Sequence, residues 1–67
     1  MEKETMMQYE IIRQSGKCNM FDYYCVTNQA NKLELHKLAS LTLEEYRDLL
    51  MNFSKYMKEF DIKQVKP

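Results

Sequence analysis

The chain has 67 residues, with ten basic and ten acidic side chains that leave a formal net charge of zero. Its length allows one small hydrophobic core, so we expect a single domain that spans residues 1–67. The balanced charge does not favour a nucleic acid as the main partner, because nucleic-acid-binding proteins usually carry a basic excess or a basic stripe.

The first helix is predicted over residues 3–15. Thr5, Tyr9 and Ile12 share one helical face, since they are spaced by four and three residues. Gly16 follows, and a glycine at this place can adopt the left-handed conformation that ends a helix without a side-chain clash. The sequence therefore predicts a helix with a defined inner face and a sharp end.

A second helix is predicted over residues 20–33. Asn19 precedes it and can cap its free backbone amides, while Asp22 in the first turn interacts favourably with the positive end of the helix dipole. We expect Phe21 to pack back against the first helix. The residues expected on the inner face are Tyr23, Val26, Ala30 and Leu33.

A short third helix is predicted over residues 35–41. Its core-facing residues are expected to be Leu35, Leu38 and Leu41.

Gly16 is the one glycine and Pro67 the one proline of the chain, so few positions interrupt a helix and tight turns should join the helices. The pattern disfavours sheet and predicts an all-α fold.

The last predicted helix, residues 43–61, is the longest. Thr42 and Glu45 form a capping box, in which each side chain can bind the backbone amide of the other residue. An apolar three-four rhythm continues from there and predicts one amphipathic helix about 27 Å long, from the helical rise per residue. The stripe consists of Leu43, Tyr46, Leu50, Phe53, Met57 and Phe60, flanked by Leu49 and Tyr56. Residues 64–67 are expected to fray.

Together these elements predict an all-α bundle of three to four helices with a long amphipathic C-terminal helix. The apolar stripe of that helix can either cover the other helices or pair with a second copy of the chain as a short coiled coil, because both arrangements need the same rhythm. A homodimer through this helix is therefore one of two open arrangements.

Few residues of this chain suit catalysis or metal binding. Cys18 and Cys25 lie seven residues apart, unlike a redox motif or a zinc knuckle, and His36 alone cannot complete a tetrahedral site with them. We expect Cys25 to be a small buried apolar residue and Cys18 to be a partly exposed thiol, as in a reducing cytosol. The chain also has no glycine-rich phosphate loop, so we expect no enzyme activity, no cofactor and no metal site.

The N-terminus begins Met-Glu-Lys-Glu and contains acidic residues without an uninterrupted apolar run. It therefore resembles neither a secretory signal nor a membrane-spanning segment. We expect the protein to stay in the cytoplasm and to have no membrane partner.

The string Gly-Lys-x-Asn-Met-Phe-Asp occupies residues 16–22, at the predicted joint between the first two helices. With Val26 and Ala30 it resembles a family of very small proteins of unknown function from low-GC Gram-positive bacteria and their phages, over roughly residues 9–41. The residues that carry the motif are Gly16, Asn19, Phe21 and Asp22. The resemblance implies a phage or prophage origin and a place in the bacterial host cytoplasm. Small phage proteins of this kind often bind and redirect a larger protein.

In that family the second helix is followed by Ala-x-x-x-Gly and an apolar residue, which is similar to the turn of a helix-turn-helix. Here Ala30 and Leu35 match, but Glu34 stands where the family has glycine, so the turn is either shaped differently or part of a continuous helix. A small DNA-binding regulator is the alternative function, with residues 35–41 as its recognition helix. Its DNA-facing residues are expected to be His36, Lys37 and Ser40, with Lys32 and Arg13 at the phosphates.

Six methionines, five tyrosines and three phenylalanines provide more large amphipathic surface than a core of this size needs. Methionine and tyrosine are both common where proteins touch each other, although the same residues also suit a core. We therefore expect a non-catalytic module that binds and modulates a bacterial or phage protein. The residues expected to contact this partner are Lys17, Tyr24, Arg47, Met51 and Tyr56.

Overall fold

Five short helices form the fold in the computed structural model of the chain, which describes residues 1–62. In chain order they are α1 (Lys3–Ser15), α2 (Tyr23–Lys32), α3 (His36–Ala39), α4 (Leu43–Met51) and α5 (Phe53–Glu59). The described residues contain no strand, so the all-α prediction is confirmed, with five helices in place of three or four. None of these helices has the length and the apolar run needed to cross a membrane. The predicted fraying of residues 64–67 lies outside the described residues.

Helix α1 has the predicted bounds and the predicted inner face. Thr5, Tyr9 and Ile12 are buried, as their spacing indicates. Gly16 ends the helix in the left-handed region, with a φ of 69°, and its backbone N–H donates to the carbonyl oxygen of Arg13 at 3.4 Å. Few residues other than glycine adopt this backbone conformation without strain, which explains the sharp end.

Helix α2 begins at Tyr23, later than predicted, because Asp22 and not Asn19 is its N-cap. The Asp22 carboxylate accepts a hydrogen bond from the backbone N–H of Cys25 at 3.1 Å, which satisfies a free amide of the first turn. Asn19 closes the preceding turn instead, since its side-chain oxygen accepts the N–H of Phe21 at 2.9 Å. The later start changes which residues face inward.

Two predicted inward positions in this region are wrong. Phe21 does not pack against α1: its side chain is 82% exposed, and Met20 lies against the core in its place. Leu33 is 51% exposed, and it is the C-cap residue directly after Lys32, the last residue of α2. Val26 and Ala30 are fully buried, as predicted.

The turn between α2 and α3 contains Glu34 with a positive φ of 58°. The N–H of Leu35 donates to the carbonyl oxygen of Ala30 at 2.7 Å. The N–H of Glu34 itself donates to the carbonyl oxygen of Asn31 at 3.1 Å. This pair of bonds is the Schellman motif, which usually places glycine at the left-handed position. The turn therefore keeps the shape that suits glycine, in spite of the glutamate.

The predicted long C-terminal helix is wrong, because Asn52 divides it into α4 and α5. The Asn52 backbone has a φ of −115° and a ψ of 22°, outside the helical region. Its side-chain amide donates to the carbonyl oxygen of Asp48 at 3.1 Å and to the Asp48 carboxylate at 2.9 Å, and such bonds compete with helical backbone geometry. Beyond the break, the ring of Phe53 lies 5.3 Å from that of Tyr9 in α1. The homodimer was predicted along one continuous helix, which Asn52 interrupts, and the homodimer itself stays a prediction.

The predicted capping box at the start of α4 is confirmed. The N–H of Glu45 donates to the Thr42 hydroxyl at 3.2 Å, and the N–H of Thr42 donates to the Glu45 carboxylate at 2.9 Å. Leu43, the first residue of α4, is 41% exposed, so its predicted place in the inner stripe is wrong.

Helix α3 is shorter than predicted, with four residues, although Leu38 and Leu41 are both buried.

One hydrophobic core lies between the helices. Its buried apolar residues are Met6, Tyr9, Ile12, Val26, Ala30, Leu38, Leu41, Tyr46, Leu49 and Met57. A buried polar contact also joins α1 to α3, since the side-chain oxygen of Gln8 accepts the backbone N–H of Leu38 at 2.9 Å. This amide lies in the first turn of α3. The N-cap residue of α3, Leu35, has no polar side chain that could bind it, so Gln8 of α1 caps the helix instead.

Candidate functional site

The two exposed aromatic side chains of residues 1–62 lie at the joint between α1 and α2. Phe21 is 82% exposed and Tyr24 is 71% exposed, although large aromatic side chains usually bury most of their surface. Lys17, also exposed, lies at the start of the same loop. We call Lys17, Phe21 and Tyr24 the loop patch. Lys17 and Tyr24 are predicted contact residues, whereas the exposure of Phe21 is not predicted by the sequence.

A disulfide bond joins Cys18 to Cys25 and closes the loop into a ring, residues 18–25, which we call the disulfide ring. The two Cα atoms are 5.9 Å apart, and both side chains are half-buried. The prediction of a free thiol at Cys18 and a buried apolar residue at Cys25 is therefore wrong. The late start of α2 is the reason, because residues 19–22 form a turn that brings Cys18 back towards the first turn of the helix.

Some side chains of the disulfide ring face the core and others face the solvent. Met20 and Tyr23 pack against the core, whereas Phe21 and Tyr24 are exposed. The Tyr24 ring also meets the Tyr23 ring edge-on, with centroids 5.3 Å apart. The exposed Tyr24 is therefore supported by a side chain that is itself anchored.

Two tyrosine hydroxyls anchor the inward side of the ring. Tyr46 of α4 donates to the carbonyl oxygen of Met20 at 2.6 Å. Tyr23 donates to the carbonyl oxygen of Leu41, in the segment between α3 and α4. Burial raises the pKa of the Tyr46 hydroxyl above its ordinary value of 10.0, with a further contribution from Tyr9. Tyr46 therefore remains a neutral hydrogen-bond donor to a higher pH than an exposed tyrosine would.

The other predicted contact residues, Arg47, Met51 and Tyr56, lie on α4 and α5. Arg47 and Met51 are one helical turn apart and exposed, with Met51 at 85%. Tyr56 is half-buried, and its hydroxyl donates to the Asp48 carboxylate at 2.5 Å, which raises the pKa of Tyr56. Because the Tyr56 hydroxyl is already bonded to Asp48, we leave Tyr56 out and call Arg47 and Met51 the α4 patch.

The disulfide brings together two of the predicted contact residues. Lys17 and Tyr24 each directly precede one of the bonded cysteines, so both lie beside the same bond. Arg47 and Met51 share an exposed face of another helix. The predicted contact residues therefore fall into two groups, and the disulfide ring organises the first of them.

An open groove of about 660 Å³ lies between the start of α1, α3 and the start of α4. Its acidic lining residues are Glu2, Glu44, Glu45 and Asp48. Lys37 also lines the groove, and its ammonium lies 3.1 Å from the Glu2 carboxylate, which raises the pKa of Lys37 through the hydrogen bond.

Among residues 1–62, no three His, Cys, Asp or Glu side chains are grouped so as to hold a metal ion.

Some of the side chains predicted to meet DNA are engaged with carboxylates. The Arg13 guanidinium lies 2.7 Å from the Glu10 carboxylate, and this hydrogen bond raises the pKa of Arg13. Lys37 is paired with Glu2 as described above. His36 and Lys37 both lie on α3, a helix of only four residues, which presents few side chains to a DNA groove.

A family model described as a domain of unknown function (DUF5049) matches residues 1–60 of the chain. No curated protein matches the chain, and no solved structure matches it either. The family match covers most of the chain, and its description names no activity.

Proposed function

The chain belongs to the DUF5049 family, whose function is unknown, and we propose that it is a small, non-catalytic protein-binding module. In this proposal a phage or prophage encodes the protein, which acts in the cytoplasm of the bacterial host. It modulates or inhibits a host or phage protein by binding it through the loop patch.

The exposure of Phe21 and Tyr24 on a fixed backbone is the observation that carries the proposal. Aromatic side chains supply much of the binding energy of protein interfaces, because each buries a large area when a partner covers it. The disulfide, the Asn19 turn and the Asp22 cap hold the backbone around these residues before a partner arrives. Binding then costs less conformational entropy than it would on a mobile loop, which favours affinity.

The α4 patch supports a second region of contact. Met51 is the most exposed large apolar side chain of residues 1–62, and methionine and arginine are both enriched in protein interfaces. Lys17 and Arg47 add one positive charge to each patch. We therefore expect the partner to present an apolar pocket with carboxylates at its rim.

The chemistry of the described side chains also favours binding over catalysis. While Cys18 and Cys25 are joined to each other, neither is available as a thiolate nucleophile. The Tyr56 hydroxyl donates to Asp48, and His36 is exposed on α3. Catalysis needs a nucleophile and a base held together in a cleft that excludes water, whereas the groove beside α3 is open to solvent.

The DNA-binding alternative has less support. Its recognition helix would be the single turn of α3, and two of its cations, Arg13 and Lys37, already pair with carboxylates of the same chain. Gel shifts with duplex DNA at low salt test it, because electrostatic attraction is strongest there. Binding that weakens steeply as salt is added would support this alternative, and flat curves would exclude it.

Affinity capture from a lysate of a low-GC Gram-positive bacterium tests the main proposal. We expect the folded, full-length protein to retain one partner in stoichiometric amount, quantified by mass spectrometry. The double variant Phe21→Ala/Tyr24→Ala should retain at least about tenfold less, because both aromatic anchors are lost.

Leu33→Ala is the matched control for this experiment. Leu33 is 51% exposed and follows the other end of α2, so its loss removes exposed apolar surface without touching the loop patch. Equal capture by the wild type and the double variant would contradict the proposal. So would the absence of any stoichiometric protein partner.

A further inference from the structure

We propose that the bond between Cys18 and Cys25 is a reversible thiol–disulfide switch that orders the loop patch. In the oxidised state the disulfide ring holds Phe21 and Tyr24 in place, and in the reduced state the ring opens while the helices stay packed. The effect of the switch on partner binding rests on the proposed function, whereas the switch itself can be tested without a partner.

The position of the disulfide favours a local effect. Both exposed aromatic residues lie between the two cysteines, so the bond encloses the part of the chain that carries them. Cys18 belongs to the loop and Cys25 to the first turn of α2, and their Cα atoms are 5.9 Å apart. Opening the bond therefore releases the loop from the helix.

Other contacts of the ring do not depend on the disulfide. Tyr46 of α4 donates to the carbonyl oxygen of Met20 at 2.6 Å, across a sequence separation of 26 residues. Asp22 caps α2 through the backbone N–H of Cys25, a bond in which sulfur takes no part. We therefore expect α2 and the core to persist after reduction, while the backbone around Phe21 gains freedom.

Thiol–disulfide exchange with a dithiol reductant opens the ring. A thiolate of the reductant attacks Cys25 Sγ, because Cys18 packs against the core whereas Cys25 lies in the first turn of α2. The bond between the cysteine sulfurs breaks, a mixed disulfide forms at Cys25, and Cys18 leaves as a thiolate. The second thiolate of the reductant then attacks the mixed disulfide, so that Cys25 leaves as a thiolate and the reductant becomes a disulfide. Two electrons pass to the protein, and two protons from solvent convert its thiolates into thiols.

An ordered ring favours binding, because the conformational entropy of the loop is lost before the partner arrives. We expect the reduced protein to bind the same partner about tenfold more weakly, as follows from immobilising one or two side chains. Tyr24 should contribute less to this change than Phe21, since Tyr24 lies within α2 and the helix holds its backbone.

Amide hydrogen exchange of the full-length protein, with and without dithiothreitol, tests the switch. The N–H of Phe21, bonded to the Asn19 side chain, reports on the ring. The N–H of Glu45, bonded to the Thr42 side chain, is the matched control, because it is the same kind of capping bond outside the ring. We expect reduction to speed exchange at Phe21 at least about tenfold and to leave exchange at Glu45 and the helical circular dichroism unchanged. Oxidation with glutathione disulfide should restore slow exchange.

Three results would overturn the switch. Unchanged exchange at Phe21 after reduction would mean that the disulfide does not order the ring. Loss of helical signal, with faster exchange at Glu45, would mean that the disulfide stabilises the whole fold and not the ring alone. A bond that dithiothreitol does not open in the folded protein would not be a switch at all.

Serine substitution provides an independent measurement. The Cys18→Ser/Cys25→Ser variant should reproduce the exchange pattern of the reduced protein without any reductant, and an oxidised-like pattern in it would contradict the proposal. A partner that depends on Phe21 but binds both redox states equally well would overturn the regulatory role alone. If no partner exists, the proposed function fails, and the exchange data still decide whether the switch is present.

Discussion

The hydroxyl of Tyr46 donates a hydrogen bond to the backbone carbonyl oxygen of Met20 at 2.6 Å, across a sequence separation of 26 residues. Tyr46 is 1% exposed and belongs to α4, whereas Met20 belongs to the disulfide ring that presents Phe21 to solvent. One buried side chain therefore connects the core to the candidate interaction surface.

The Tyr46→Phe variant should lower the free energy of unfolding by about 1 kcal/mol, because the carbonyl oxygen of Met20 loses its donor. The aromatic ring itself is retained, so its packing against Tyr9 and Tyr23 should persist. Urea unfolding followed by circular dichroism measures the change. Tyr24→Phe is the control, since that hydroxyl belongs to an exposed side chain, and equal losses in the two variants would contradict the role of the buried bond.

Alkaline pH should destabilise the fold through Tyr46. Burial raises the pKa of its hydroxyl above the ordinary value of 10.0, so above that pH the unfolded chain releases a proton that the folded chain keeps. The contribution to stability is therefore complete below pH 10 and is lost progressively as the pH rises towards the folded pKa. Burial also raises the pKa of Tyr9, which acts in the same direction.

Urea unfolding between about pH 8 and pH 11 measures this effect as the free energy of unfolding. We expect a fall above about pH 10 that is smaller in Tyr46→Phe than in the wild type, because phenylalanine has no proton to release. The same fall in both proteins would assign the alkaline sensitivity to other groups.

The Glu34→Gly variant should raise the free energy of unfolding by about 1 kcal/mol. Glu34 has a φ of 58°, where a side chain strains the backbone and glycine does not. Glu34→Ala keeps a Cβ atom and therefore keeps the strain, so we expect little change from it. Thermal unfolding of the two variants beside the wild type measures the difference, and a glycine variant no more stable than the alanine variant would refute the strain.

The Gln8→Met variant should lower the free energy of unfolding by about 2 kcal/mol, because the buried N–H of Leu38 loses its acceptor. Methionine has a similar shape, so the loss of the cap is separated from the loss of volume. Gln14→Met is the control on the same helix, since Gln14 is exposed and makes only a 3.4 Å contact with Glu10. Urea unfolding should show a much smaller loss there, and equal losses would mean that α3 does not need this cap.

Features that depend on neighbouring residues can be predicted from this sequence. Helix α1 has its predicted bounds, because its apolar spacing and the left-handed preference of Gly16 act within one segment. The capping box of Thr42 and Glu45 forms for the same reason, since its two residues lie three positions apart. Lys17 and Tyr24 are exposed, as a contact surface requires, although their role in binding stays a prediction.

Choices between equivalent local signals could not be predicted. Asn19 and Asp22 are both good N-caps, and α2 uses Asp22 while Asn19 closes the turn before it. An apolar rhythm that crosses Asn52 suits either a straight or a broken helix. The broken form allows Phe53 to pack on Tyr9 of α1, a contact that no local pattern reveals.

The all-α fold, the end of α1 and the start of α4 follow from the order of the amino acids, because helical periodicity and short-range hydrogen bonds are local. The exposure of Phe21 and the bond between Cys18 and Cys25 depend instead on how the helices pack. Both outcomes depend on where α2 begins. The turn before α2 is held by Tyr46, which donates to the carbonyl oxygen of Met20, 26 residues earlier in the chain.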